Sequence, residues 1–230
     1  MNALISPSVF FGSALTIAFY ALGYCLKRRF KLAVLNPILI GVICVIGFLT
    51  ATDIDYEVYA EGAGYLSYFL TPATVCLALP LYEKLHLLKK HWKAVCAGLV
   101  SGVLVSLLCT LLLCKAMRLS PELYATLLPK SITSAIGLGV SEELGGIPSL
   151  TVACIILSGI FGSITCESVF KLFRIHSPIA KGLAIGASSH AIGTARAIEL
   201  GRTEAAMSSL ALVVCGLITV VLAPVFYHLL

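Results

Sequence analysis

The sequence predicts an all-α polytopic membrane protein, and three observations carry that prediction. Of 230 residues, 59% are hydrophobic and only 12% are charged, against about 45–50% apolar and about 25% charged in soluble domains. So few charges are too sparse to cover a water-facing surface, which excludes a disordered chain, a nucleic-acid-binding protein and a cytosolic enzyme. Apolar runs long enough to cross a bilayer recur along the chain, with basic clusters between them. We expect one membrane domain over residues 1–230 with about 6–8 membrane segments. Some of these segments are helices broken by Pro or Gly, or a re-entrant hairpin.

The first span, Ile5 to Leu26, ends at Lys27, Arg28, Arg29 and Lys31. No basic stretch precedes it, so it reads as a retained span rather than a cleaved signal. The second, Leu32 to Thr50, is followed by Asp53, Asp55, Glu57 and Glu61; a third segment, Tyr59 to Tyr82, runs to Lys84, His86, Lys89, Lys90, His91 and Lys93. The positive-inside rule places both basic clusters in the cytoplasm and the N-terminus outside. The fourth span, Ala94 to Met117, carries Gly98-x-x-x-Gly102, a spacing that permits close helix packing and marks a scaffold face for a homodimer. The net charge of +5 thus belongs to cytoplasmic loops. The nine cysteines stand singly in apolar runs without a C-x-x-C pair and read as small hydrophobes.

The second half is less regular. Pro121 to Gly146 is interrupted at Pro129 and Lys130, and Ser149 to Phe173 is a clean span ending near Lys171, Arg174 and Lys181. If Pro121–Gly146 crosses the membrane, those cations fall outside; if it enters and returns as a hairpin they fall inside, as the charge rule prefers. Pro178 to Leu200 is interrupted at Gly182, Gly186 and Gly193, and Ala205 to Leu230 is the last span. Pro72–Leu81 and Pro129–Leu138 share the pattern P-x-[ST]-[VI]-x-x-A-[LI]-x-L. Paired broken segments of this kind point to an inverted repeat around Pro72 and Pro129 and to a transporter binding site.

The polar residues at these breaks form the candidate site. Backbone interrupted at membrane depth must be buried in protein or line a cavity. Thr71, Thr74, Ser131, Thr133 and Ser134 lie at the two proline breaks, where freed amides and helix N-termini favour an anion. Lys130 is a cation within an apolar stretch, costly on insertion and therefore functional by default. Ser189, His190, Thr194 and Arg196 lie in one broken segment. A break at Gly193 brings His190 and Arg196 to one cavity, with Arg196 on a carboxylate and His190 as a proton-sensitive neighbour. In the rival geometry, Arg196 pairs with Glu199 and His190 faces a packed helix. Glu167 reads as the partner of Lys171 on its own helix. No catalytic constellation, metal-ligand spacing or cofactor motif is present, so an enzyme is not expected.

The chain resembles the LrgB/CidB family of bacterial membrane proteins. The resemblance rests on Leu127-Leu128-Pro129-Lys130-Ser131-Ile132-Thr133, Leu144-Gly145-Gly146-Ile147-Pro148-Ser149-Leu150-Thr151, Gly182-Leu183-Ala184-Ile185-Gly186, Ser189 to Ala197, and Ala206 to Leu212. Tyr68 to Thr74 and Leu79 to Tyr82 extend it over nearly the whole chain. It implies a bacterial inner-membrane protein with one of two activities. One is carriage of a small monocarboxylate of the pyruvate, glycolate or glycerate kind, which we read as secondary transport of such acids, lactate included, coupled to protons through His190. The other is antiholin-like modulation of murein hydrolase activity and autolysis. It also implies a holin-like LrgA/CidA-type membrane protein as a working partner.

Overall fold

A computed structural model describes residues 10–30, 37–69, 72, 76, 82 and 85–230. The described residues are helical, without strands, and the chain is an all-α membrane protein. Three helices among them are long and apolar enough to cross a bilayer: Lys89–Met117, Pro148–Leu172 and Arg202–Tyr227. Pro37–Thr52 is a shorter apolar helix. The chain divides into two compact units, 1–76 and 77–230, and each is described by itself.

The first unit holds α1 (Phe11–Phe30), α2 (Pro37–Thr52) and α3 (Tyr56–Ser67). Ser13 Oγ donates to the Gly62 carbonyl at 2.6 Å, and Thr16 Oγ1 lies 2.8 Å from Tyr59 Oη. The N-terminal half of α1 therefore packs on α3, while Gly23 meets Pro37 at the start of α2. The Pro72 break falls here, and its Thr71 and Thr74 lie outside the described residues.

The second unit holds α4 (Leu85–Met117), α5 (Pro121–Leu127), α6 (Ser134–Glu143), α7 (Pro148–Leu172), α8 (Pro178–Leu200) and α9 (Arg202–Tyr227). Its α4 is kinked at His91. The Gly98/Gly102 pair, expected to seat a helix, does not do so among the described residues. Nothing lies within 4 Å of a side chain placed on Gly98, and Gly102 meets only Ala187.

Pro121–Gly146 is a hairpin. Ser120 caps α5 through Leu123 N–H, and Pro121 fits the first helical position, where no amide is needed. The chain turns over Leu128–Thr133 and α6 returns beside α5. Ser141 and Thr126 both reach Thr151, at 2.6 Å and 3.1 Å, and the Ile147 amide donates to Thr126 Oγ1 at 2.9 Å. All three hydroxyl residues are buried, and these bonds satisfy backbone that would otherwise be orphaned in hydrocarbon.

The second interruption, inside α8, is also a hairpin, and its break is at His190 rather than at Gly193. His190 has φ 40° and ψ −132°, a left-handed value that L residues adopt rarely. Residues 185 and 193 would lie about 12 Å apart in an unbroken helix, yet a side chain on Gly193 would come within 3.0 Å of the Ile185 carbonyl oxygen. Residues 191–200 therefore fold back along 178–189. Gly193 is needed for this close approach and not for the dihedral of the break.

The two hairpins enter from opposite ends. His91 of α4 and Ser177 share one cleft, so the basic stretches around Lys93 and Lys171 lie at the same end. The second hairpin starts there, and the first starts at the other end, after Met117. Both tips reach the middle of α7: Ile155 touches Gly137 of α6, and its carbonyl accepts from His190. A methyl on Gly159 would sit 2.7 Å from His190 Cε1. Gly159→Ala is thus expected to cost about 1–3 kcal/mol through overpacking. In a detergent melting assay, that loss should shrink when His190 is also truncated to Ala; an additive loss would refute the contact.

Candidate functional site

Where the two tips meet, a row of hydroxyls lies between two clefts. Ser106 of α4 has its Oγ 2.9 Å from Ser131 Oγ at the tip of the first hairpin. Lys130 Nζ donates to Ser106 Oγ at 3.3 Å. An ammonium only donates, so Ser106 accepts from it; its own proton is then available to Ser131, and the Ser131 proton to the cleft. Among the described residues no carboxylate lies within ion-pair distance of Lys130.

The larger cleft, about 850 Å³, runs between α4 and the first arm of α8, from His91 and Ser177 inward to Ser106, Ser131 and Ser188. A second, about 420 Å³, lies between α7 and the same arm and is lined by Ser158, Gly162, Thr165, Ser131 and Ser188. Ser131 and Ser188 line both and stand on the partition between them. Gly98 and Gly102 line the larger one.

The sequence-predicted residues divide accordingly. Ser131 faces the clefts, and Lys130 acts on it through Ser106. Thr133 and Ser134 begin α6 and line neither cleft. Ser189 is buried and packs where α7 has Gly162. His190 donates its Nε2 proton to the Ile155 carbonyl at 3.0 Å and is buried. Thr194 Oγ1 lies 2.8 Å from Ser208 Oγ, tying the returning arm to α9. These last three hold the hairpin tip in place.

Arg196 corrects the expected geometry most. It pairs with Glu199 and with Glu167 of α7 and lines neither cleft. Because the turn is at His190, the returning arm carries Arg196 back toward the basic end, alongside Glu167. Glu167 therefore reaches across the helix interface rather than along its own helix to Lys171.

Sequence reasoning missed Ser106, Ser158 and Ser188 as lining residues. Ser106 gave a usable signal, a lone hydroxyl between Val105 and Leu107. Ser188 stood beside the chosen Ser189, and only the direction of the turn separates the two.

The model of the LrgB-like family matches residues 16–229. The chain belongs to the LrgB-like family. No solved structure matches it. For this LrgB-like chain the match covers both units, so the hairpins and the hydroxyl row lie within the family region.

Arg196→Ala leaves two carboxylates without their shared counter-ion, and a lysine lacks the planar fork that spans both. We expect a lower yield of monodisperse protein for Arg196→Ala, with only partial recovery for Arg196→Lys. A normal yield with uptake lost would instead assign Arg196 to the substrate.

Proposed function

We propose that this protein is a secondary transporter of small monocarboxylates of the pyruvate, glycolate, lactate or glycerate kind, and not an enzyme. One observation carries the reading: Lys130, without a carboxylate partner among the described residues, feeds a hydrogen-bond donor through Ser106 to Ser131 at the meeting of two broken hairpins. A cation at membrane depth is costly and marks an ion or substrate path. Hairpins entering from opposite ends and lining clefts are the arrangement in which transporters hold a midplane site. The hydroxyls of Ser131 and Ser188 then receive the carboxylate oxygens, and the apolar walls of Ala184, Ala187 and Val105 suit a short organic acid. Proton coupling, which the sequence suggested through His190, stays part of the proposal and is tested by the imposed gradient.

The charge pattern supports the bacterial inner membrane, with the end carrying Lys89 to Lys93 and Lys171 to Lys181 in the cytoplasm and the N-terminus outside. The clefts then open inward. A homodimer and a holin-like LrgA/CidA-type partner belong to the same reading, as a fixed support for the moving hairpins. The antiholin-like alternative has one feature in its favour. Tyr20, Tyr24, Tyr65, Tyr68 and Phe69 of the first unit are exposed, an aromatic surface suited to another membrane protein as well as to lipid.

The test is uptake of labelled pyruvate, glycolate, lactate and glycerate into proteoliposomes under an imposed proton gradient. A hydrogen bond to a charged group contributes about 1.5–3 kcal/mol. Lys130→Ala should accordingly slow uptake by about 10–100-fold in folded protein, and Ser131→Ala by a smaller factor. Folded wild type that moves none of the acids, with or without the partner, overturns the transport reading.

A further inference from the structure

A shift of 57 residues (Ser120 to Ser177), with one residue deleted in the second turn and one inserted before Ser208, aligns much of the second unit with itself. It carries Ser120-Pro121 onto Ser177-Pro178, and both serines cap their helix by accepting from the amide three residues on. It carries Ser131 onto Ser188, the two hydroxyls on the partition between the clefts. After one deleted residue, Ala135-Ile136-Gly137 falls on Ala191-Ile192-Gly193. Along the long helices it carries Thr151 onto Ser208, and each takes a hydroxyl contact from the returning arm of its own hairpin.

The contacts repeat as well as the residues. Tyr124 of the first hairpin stacks on Tyr227 of α9 at 6.2 Å, and their counterparts meet as Lys181 over the Phe170 ring at 5.9 Å. Gly159 of α7 faces Ile192 of the second hairpin, while its counterpart Gly216 of α9 faces Ile136 of the first. Each long helix thus packs on the hairpin of the other half. Contacts exchanged in this way, between segments entering from opposite ends, define a two-fold relation in the membrane plane.

The halves are related in sequence but differ in exposure. Tyr124, Thr126, Leu127 and Ser131 are each more deeply buried than their counterparts Lys181, Leu183, Ala184 and Ser188. One first arm is packed and the other lines an open cleft.

We infer that residues 120–173 and 177–230 are an inverted repeat, and that the first arm of the first hairpin lines a second access path, opening at the opposite end, when the present cleft closes. This rests on the transport reading. Lys130 is the counterpart of Ala187, which lines the present cleft, so in the second state the ammonium itself faces the path. The substrate then passes between Ser131 and Ser188 with the cation exposed to one side only.

The test is cysteine labelling of the full chain in right-side-out and inside-out vesicles, after replacing the nine native cysteines and verifying folding. An impermeant maleimide should label Ala184→Cys from the basic end and Leu127→Cys from the other end. Ala180→Cys and Leu123→Cys are a second matched pair should either variant misfold. In the double variant, prior reaction at position 184 should lower labelling at position 127 several-fold, because only one path opens at a time. Retained uptake with positions 123 and 127 unlabelled from the far end overturns the repeat and leaves transport standing. Labelling from both ends that stays independent overturns alternation. Exclusive labelling without uptake of any acid upholds the two paths and overturns the transport reading.

Discussion

Two chain reversals at membrane depth, each leaving backbone groups that hydrocarbon cannot satisfy, set the terms for the rest of the second unit. The first reversal is closed by Thr126, Ser141 and Thr151, whose buried hydroxyls gather the Ile147 amide and the Thr126 carbonyl into one network. The second is closed by Thr194, which donates to the His190 carbonyl at the break and meets Ser208, and by His190 on the Ile155 carbonyl. An unpaired buried amide or carbonyl costs about 1–3 kcal/mol, so a hairpin without these clamps would not hold at this depth. Close approach is the other requirement, and small residues meet it. Gly159 receives the His190 ring, and Gly182 lies against the Glu204 backbone of α9.

Polar side chains at membrane depth therefore serve two purposes that composition does not separate. Thr126, Ser141, Thr151, Ser189, Thr194 and Ser208 are buried and bind the fold together. Ser106, Ser131, Ser158 and Ser188 face space. The same division applies to the cations. Arg196 is shared by Glu167 and Glu199, one cation between two carboxylates that ties the returning arm to α7. Lys130 has the Ser106 hydroxyl and no counter-ion among the described residues.

Much of this was legible. Basic clusters at the start of α4 and the end of α7 were expected on one side, because moving them across a bilayer is unfavourable, and His91 and Ser177 do line one cleft. The charge rule also favoured a hairpin over Pro121–Gly146. An internal similarity was visible too, between Pro72–Leu81 and Pro129–Leu138, and most of its first member lies outside the described residues. Pro72 and Pro129 share an apolar pattern that any two membrane segments match easily. The recurrence of Ala-Ile-Gly at 135–137 and 191–193 is shorter, and it needs a one-residue deletion within the turn to align. What marks it as structural is the exchange of contacts between α7 and α9, and contacts are not written in a string.

By itself the sequence determined that the chain lives in a membrane, which ends of the second unit's long helices share a side, and that Lys130 and Ser131 and some part of Pro178–Leu200 lie at breaks. Those features follow from transfer energies of whole segments, which add up locally. The tertiary structure decided where the second break falls and which side chains face the clefts. Glycine has two uses, a free dihedral and a missing side chain, and a sequence displays the residue without saying which is in use. Gly193 serves by its missing side chain, against Ile185, while His190 takes the left-handed turn because Ile155 and Gly159 hold its ring. With the turn placed there, Arg196 returns to Glu167, and Ser131 and Ser188 are left lining the clefts.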